Sequence, residues 1–535
     1  MKKRKIMALL LAVGLFAGTL AGCTASDAGG SASSKVTGSS ASSSDSGMMS
    51  EDEGEEIVDL EIWGTNVGLL PVDKGSPLYD FYVEKIGVGV IQPYVEWNGG
   101  ETYQQQLNLK IASGEMPDIF LPVNGMEAEL ARTGAIMDLT DLIPEKAPNI
   151  WNVVPQSTWE TVRSYDPNDE GRIYFVPNII DYTLLGGMIR RDWLDNLGLS
   201  MPETQEDFVA VLRAFRDDDP NQNGIQDEIP TGGRQQAKWM DHLFGMYGLA
   251  MWEGDPQWDV YDGELTYSAV TPNMKDALQF ISELYAEGLM DPETLLNDKA
   301  SWEGKINSDK VGIYYHWAES VRDVLEAINN STGVHADYVI LPAISAPGYE
   351  GFYTTKYMKS PQFVVKQQSD PARLEACMRF LNAYGDESMF YEYFLGVEGM
   401  HYEVVDGVPA RLPEDKTREQ NLVVDPYNAF ATLDFKIESL EKSFTEATKW
   451  MYDQSIRNVE DLQQYGKHIA GDGVPSNIYE NYPDIQNKTL YVEYASKIIT
   501  GEYPIEKFDE FVEKWNATGG DAVTAAAREW YEKVS

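Results

Sequence analysis

Apolar and polar positions along the chain change period several times, and each change predicts an element. Val58-Asp59-Leu60-Glu61-Ile62-Trp63 alternates and predicts a strand with one face buried. Tyr103, Leu107 and Ile111 then recur every four residues, which predicts a helix that Gly114 can end. Met116-Pro117-Asp118-Ile119-Phe120-Leu121 returns as a buried strand. Thr204 can cap a helix burying Phe208, Leu212 and Phe215. Thr271-Pro272 opens another, carrying Leu278, Ile281, Leu284 and Tyr285 to a stop at Gly288, and Asp370-Pro371 opens a third that ends at Gly385. The last hundred or so residues read as mostly helix, with Ile437, Leu440, Phe444, Ala447 and Met451 on one face. Helices between short apolar strands predict α/β lobes with largely parallel sheets.

Two N-terminal stretches stand apart from this pattern. Lys2, Lys3, Arg4 and Lys5 precede an apolar run from Ile6 to Leu20, too short for a stable membrane span but suited to a secretory signal over residues 1–22. The run ends in Leu20-Ala21-Gly22-Cys23, which resembles the lipobox of bacterial lipoproteins, and the resemblance implies that Cys23 is acylated and becomes the mature N-terminus. Two acyl chains on one residue hold a soluble domain on a bilayer where one chain holds it only marginally. Residues 23–56 are Ser, Gly, Ala, Asp and Glu with few large apolar groups, the composition of a flexible tether. Roughly 480 residues remain, more than one hydrophobic core accommodates, so two lobes are expected.

Composition narrows the function. The chain has two cysteines, so beside Cys23 the folded part holds only Cys377, and no internal disulfide is possible. Cys377 shares an apolar helical face with Leu374, Leu381 and Tyr384 and reads as a buried structural thiol. Lys and Arg number 42 against 86 Asp and Glu, and setting aside the four leading cations leaves 38 against 86. Such a field repels nucleic acid and anionic headgroups, which leaves the lipid anchor as the expected link to a membrane. The five histidines form no H-E-x-x-H or other paired metal spacing, and no G-x-S-x-G elbow, Walker A loop or G-x-G-x-x-G fingerprint occurs. No enzyme is expected, although so many acids leave room for a pair of catalytic carboxylates.

One loop has the composition of a cation site. In Asp219-Pro220-Asn221-Gln222-Asn223-Gly224-Ile225-Gln226-Asp227-Glu228, oxygen-bearing side chains fall at alternate positions before a glycine that permits a tight turn. Calcium wants six to eight oxygens, and this spacing offers them together with the Ile225 carbonyl. The loop departs from an EF-hand, since its twelfth position is Pro230 and cannot supply a bidentate carboxylate. A polar turn held by side-chain-to-backbone bonds is the other reading.

Several segments, in order, resemble the extracellular solute-binding proteins of ABC sugar importers, particularly the long, lipoprotein and alginate-binding-like members. They are Ser113-Gly114-Glu115-Met116-Pro117-Asp118-Ile119, Ile189-Arg190-Arg191-Asp192-Trp193-Leu194-Asp195-Asn196-Leu197-Gly198-Leu199 and Gly288-Leu289-Met290-Asp291-Pro292-Glu293. Gly396-Val397-Glu398-Gly399-Met400-His401-Tyr402 follows, then Ile498-Ile499-Thr500-Gly501 and Phe508-Asp509-Glu510-Phe511-Val512. The resemblance implies an α/β fold of the periplasmic-binding-protein type II kind, with two discontinuous α/β lobes joined by a hinge and a helical C-terminal region. Crossings between lobes are expected near Pro177, Lys359 and His401, which gives residues 57–176 and 358–400 to the first lobe and 177–357 and 401–535 to the second. It also implies a monomer that captures an oligosaccharide between the lobes and hands it to the permease of an ABC importer. In alginate-binding members a similar loop binds calcium through side chains equivalent to Asp219, Asn221, Asn223, Asp227 and Glu228, an expected structural role.

Sugar recognition needs flat apolar faces for pyranose C–H groups and polar partners for hydroxyls. Trp63 ends the first strand with Thr65 and Asn66 beyond it, and Tyr182 sits close to the first expected crossing. Asn124 and Trp317 match places where sugar-binding relatives put ligand contacts, Trp317 as a stacking aromatic. Trp252 and Tyr402 are further candidates, whereas Trp515 and Trp530 read as packing. Arg190, Arg191 or Lys305 near the cleft would point to a uronate. The rival readings are an exported glycoside hydrolase or lyase, and a signalling or peptide-binding ectodomain on the same scaffold.

Overall fold

Val58–Trp63 is a strand with Leu60 and Ile62 buried, as its alternation requires. It lies near one edge of a six-stranded sheet in a computed structural model that describes residues 57–64, 71–95, 101–123, 125–389, 392, 396–405, 407–411, 430–442, 444 and 446–535. The strand pairs in parallel with Val88–Ile91 and Ile119–Phe120, and the sheet continues through Met358–Val365, Val176–Ile180 and Phe430–Ala431. A second sheet runs in the order Tyr338–Ile340, Leu185–Arg190, Val311–Trp317, Ile229–Thr231.

Each sheet has its own core. The first buries Tyr82, Tyr103 and Leu107 from helices Pro77–Ile86 and Glu101–Ser113, with Cys377, Phe380 and Leu381 from Pro371–Tyr384. The second is covered on both faces, since the neighbours Met188 and Ile189 join different apolar clusters, as do Ile313 and Tyr314. Phe208, Leu212, Phe215 and Ile281 fill one of these clusters together with Tyr494, Phe511 and Trp515 of the C-terminal helices. Leu325, Tyr338, Val459 and Leu462 fill the other.

The helix signals read from the sequence hold. Thr204 caps Gln205–Asp217 in a capping box with Asp207, Thr271 accepts from Met274 N–H, and Asp370 accepts from Ala372 N–H. Gly114 and Gly288 take the left-handed conformation that ends their helices, at φ 79° and 73°.

Three expectations need correction. The strand predicted from Met116 is only Ile119–Phe120, because Pro117 has no N–H for a ladder and the Asp118 carboxylate is committed to Glu61 N–H and Arg373. The apolar face from Ile437 to Met451 is shared by two helices, Leu433–Glu441 and Lys449–Leu462. The sheets are mixed instead of largely parallel: Met358–Val365 runs against both neighbours, and so does Leu185–Arg190. Those two strands carry the chain away from the lobe-to-lobe connections, so they run opposite to strands that end there. The chain leaves the first sheet after Ile180, returns after Thr355, and leaves again after Ala431 into the helix Leu433–Glu441. That helix places Phe435 on the first core and Leu440 on the second.

Candidate functional site

The register places the site. Trp317 pairs with Leu185 and Ala318 N–H donates to Leu184 O at 3.0 Å, so Val311–Trp317 and its parallel neighbour Ile229–Thr231 end beside the Asp181–Leu184 connection. In the first sheet Ile119–Phe120 and Val58–Trp63 likewise point toward the connected ends of Val176–Ile180 and Met358–Val365. The crevice outside the carboxyl ends of open α/β strands is where ligands bind in such folds. Here those ends carry Trp63, Gln92 and Leu121 on one lobe, and Arg234, His316 and Trp317 on the other.

On the second lobe the end of the sheet is aromatic. Trp317 is half-buried, and its ring lies 5.6 Å from that of His316. His316 stacks on Trp239 at 5.0 Å and lies 5.7 Å from Trp302. Burial, with Arg234 nearby, pulls the His316 imidazole down to about 4, so it is neutral near pH 7 and hydrogen-bonds Ser320 Oγ at 2.8 Å. Tyr182 and Trp252 are buried in the cluster against which Trp317 packs, and Lys356 Nζ lies 5.9 Å over the Trp252 ring. Trp317, Tyr182 and Trp252 thus belong to one apolar cluster.

The other sequence candidates are placed differently. Trp63 is buried, donates Nε1–H to Glu61 Oε1 at 2.8 Å and meets Tyr103 edge-on at 6.1 Å. It lines a surface cavity of about 430 Å³ together with Glu61, Tyr94, Gln106 and Lys110. Tyr402 lies on the hairpin Tyr402–Val405 and Val408–Arg411, within the electrostatic reach of Glu392 and Lys85. Lys85 closes the helix that leads into Val88–Ile91, so Tyr402 belongs to the opposite end of the first sheet from Trp63. Asn66, Asn124 and Cys23 lie outside the described residues.

The three cations considered for a uronate are already committed. Arg190 is buried between Asp192 (2.6 Å) and Asp309, with its guanidinium 4.7 Å from the Trp193 ring centre. Arg191 pairs with Asp337, and Lys305 Nζ reaches Asp291 and Glu293, each at 2.7 Å. Sequence reasoning missed Arg234, which lies three residues beyond the Ile229–Thr231 strand and has no such partner among the described residues. Its only local signal is Gly232-Gly233 ahead of it, where Gly232 touches Asp291 and Gly233 touches Lys238 O so closely that no Cβ fits.

Two other buried groups are strongly perturbed. Burial drives the Asp241 carboxyl up to about 7 while its Oδ2 accepts from Gly254 N–H at 3.1 Å. His242 is held down to about 3 by burial, with Nε2 3.2 Å from Thr231 Oγ1. Burial also lifts the Cys377 thiol to about 12, which makes it inert.

The Asp219–Glu228 loop folds around its own oxygens. Asp219 carboxylate oxygens accept from Asn223 and Gly224 N–H at 3.2 and 3.1 Å, and Asn223 Oδ1 accepts from Ile225 N–H at 2.6 Å. Lys310 Nζ sits 2.7 Å from Asp227 Oδ2. The Glu228 carboxyl is raised by burial and by the neighbouring Asp219 and Asp227 charges, and its Oε1 is buried without a hydrogen bond. Among the described residues no three His, Cys, Asp or Glu side chains are grouped around one metal position. A calcium set here would be a mixed one of carboxylates, Asn oxygens and the Ile225 carbonyl, and the unbonded Glu228 oxygen beside two carboxylates fits such a cation.

Comparison with known proteins gives the family. A model of bacterial extracellular solute-binding proteins matches residues 91–384. Lipoprotein LipO of Bacillus subtilis (strain 168) is 26% identical over 448 residues, which cover 82% of this chain and 86% of LipO. The fructooligosaccharide ABC transporter substrate-binding protein FusA of Streptococcus pneumoniae serotype 4 is 30% identical over 315 residues, 55% of this chain and 54% of FusA. Among solved structures, alginate-binding protein AlgQ2 without calcium ion superposes with a TM-score of 0.66 at 19% identity, over 89% of this chain and 98% of AlgQ2. With the family model matched over more than half its length, and with the two-lobed α/β fold its topology displays, the chain belongs to the bacterial extracellular solute-binding protein family.

Proposed function

We propose that this protein is a lipid-anchored extracytoplasmic receptor that captures an oligosaccharide between its lobes and delivers it, unaltered, to an ABC importer. The observation that carries this reading is the aromatic floor at Trp317, set where the second sheet ends beside the lobe-to-lobe connection. Ligand held there and by the opposing strand ends would favour a closed form by its differential affinity for that form, and the permease would read the closed shape. The sugar specificity in the name of FusA supports the ligand class, and the lipoprotein LipO supports acylation at Cys23. The tether of residues 23–56 would hold the lobes clear of the bilayer.

Calorimetry of the mature chain against neutral and acidic oligosaccharides tests the reading. At least one glycan should bind with a negative heat-capacity change and be recovered intact. A complete panel giving no heat overturns it, and a panel giving cleaved products favours the exported hydrolase or lyase.

In the same reading the Asp219–Glu228 loop holds a structural Ca²⁺ through Asp219, Asn221, Asn223, Ile225 O, Asp227 and Glu228. The ion would neutralise the crowded carboxylates and replace the Lys310 contact to Asp227. At a hundredfold excess over its Kd, Ca²⁺ is expected to stabilise the fold by about 2.7 kcal/mol. Thermal melts with Ca²⁺ and with EGTA check this, and Asp219→Ala should abolish the difference.

A further inference from the structure

The feature of the second lobe that the family reading leaves without a role is a buried cation to which no anion is bonded among the described residues. Arg234 is 4% exposed. Its guanidinium carbon lies 4.3 Å from the ring centre of Trp239 and 4.8 Å from that of Trp302. His316, in contact with both rings, is neutral or cationic in its two protonation states and so supplies no counter-ion. The Arg234 Nε and Nη1 groups are buried and make no hydrogen bond. The carboxylates that act on it, Glu303 and Glu253, do so through space, and burial lowers its proton affinity from the usual guanidinium value. An uncompensated buried charge costs several kcal/mol, so a fold that keeps one is holding it for something.

The backbone that presents Arg234 is also held out of its ordinary range. Gln235, Gln236, Ala237 and Trp239 all have positive φ, between 50° and 72°. Non-glycine residues in this region persist only where their surroundings over-determine them. Here Gly233 N–H donates to Thr294 Oγ1 at 2.6 Å, Gln235 N–H to Asn297 O at 2.9 Å and Gln236 N–H to Leu295 O at 3.3 Å. On the other side, Gly254 lies so close to Lys238 that an added Cβ would stand 2.3 Å from its Cα. The loop is pinned from both sides, and the two indoles leave the guanidinium only its in-plane N–H groups to offer.

We propose that Arg234, framed by Trp239 and Trp302 beside Trp317, is a subsite that reads the carboxylate of an acidic sugar. A carboxylate takes two parallel charge-assisted bonds from one edge of a guanidinium, Nε with Nη2 or Nη1 with Nη2, and so reaches one of the two unbonded groups, while the neighbouring indoles suit the apolar face of the same pyranose. The hydroxyls of a neutral sugar can accept from these N–H groups but bring no opposite charge to the buried cation, and the loss of that ion pair gives the discrimination. The inference rests on the oligosaccharide reading above and narrows its ligand class.

The test is calorimetry of the mature chain with oligogalacturonate and oligomannuronate trimers and with the same trimers reduced at the carboxyl carbon. Wild type is expected to bind an acidic trimer at least 30-fold more tightly than its reduced partner. Arg234→Gln should bring the two within threefold, and Arg234→Lys should retain part of the preference. A wild-type protein that binds reduced or other neutral oligosaccharides as tightly as acidic ones overturns the subsite and leaves the oligosaccharide receptor standing. Folded Arg234→Gln with an undiminished acid preference does the same. No binding to acidic or neutral glycans overturns both. Should Arg234→Gln fail to fold, the wild-type comparison of acidic and reduced trimers decides alone.

Discussion

Replacing Trp317 with alanine is expected to weaken oligosaccharide binding by about 30-fold or more, with the protein still folded. Buried aromatic anchors at the centre of a binding site are worth roughly 2 kcal/mol or more, and that converts to a factor of this size. The position supports such a share. Trp317 closes one of the two central strands of the second sheet, pairs with the first residue after the lobe-to-lobe connection, and lies against a His316 ring held by Trp239 and Trp302. Its half-buried indole makes the stability cost smaller than for a fully buried tryptophan. Calorimetry with the tightest glycan of the panel, alongside a thermal melt, separates the two effects. Unchanged affinity in Trp317→Ala would remove Trp317 from the site.

Asp241→Asn is expected to make the protein more stable at pH 8 while changing little near pH 4. The folded carboxyl titrates at about 7, against 3.8 when unperturbed, so between those values the folded state holds a proton that the unfolded state has released. Stability contributed by that proton is present below 3.8 and is lost as pH rises through 7. At about 1.4 kcal/mol per pKa unit, the loss is on the order of 4 kcal/mol, and the amide avoids it while still accepting from Gly254 N–H. His242 acts in the opposite sense. Its folded value of about 3 lies below the unperturbed 6.5, so its contribution is present above 6.5 and is lost as pH falls toward 3. The two slopes oppose each other between 3.8 and 6.5, and wild type should be nearly flat there. Asp241→Asn exposes the His242 slope alone, with stability rising from pH 4 to pH 6.5. Urea melts at pH 4, 6 and 8 check this, and a variant whose stability tracks wild type at all three would show that the Asp241 carboxyl is not held neutral.

What could be read from the chain was local. Thr204, Thr271 and Asp370 announce helix starts because their capping partners lie two or three residues away. The alternation of Val58–Trp63 fixes which of its faces is buried. The acidic loop shows its oxygens because the spacing itself is the chemistry. What stayed hidden depends on partners distant in sequence. Arg190 has Asp192 two residues on, but its second partner, Asp309, arrives from 119 residues away, and Arg191 looks like a free cation until Asp337 arrives from 146. The mixed sheets follow from how the chain passes between lobes, which no period of the sequence encodes. Arg234 sits in a loop whose left-handed residues are set by Thr294, Leu295 and Asn297 on one side and Gly254 on the other, none of which its own segment reveals. Trp63, an aromatic at a strand end and so a natural candidate, has its indole N–H taken by Glu61 and its ring met by Tyr103.

A crystal structure of the mature chain soaked with the tightest-binding glycan tests the central claim most directly. The expected result is an intact sugar between the strand ends of the two sheets, with a pyranose ring against the Trp317 indole. A sugar seated away from both sheet ends, or recovered as cleaved product, would contradict it.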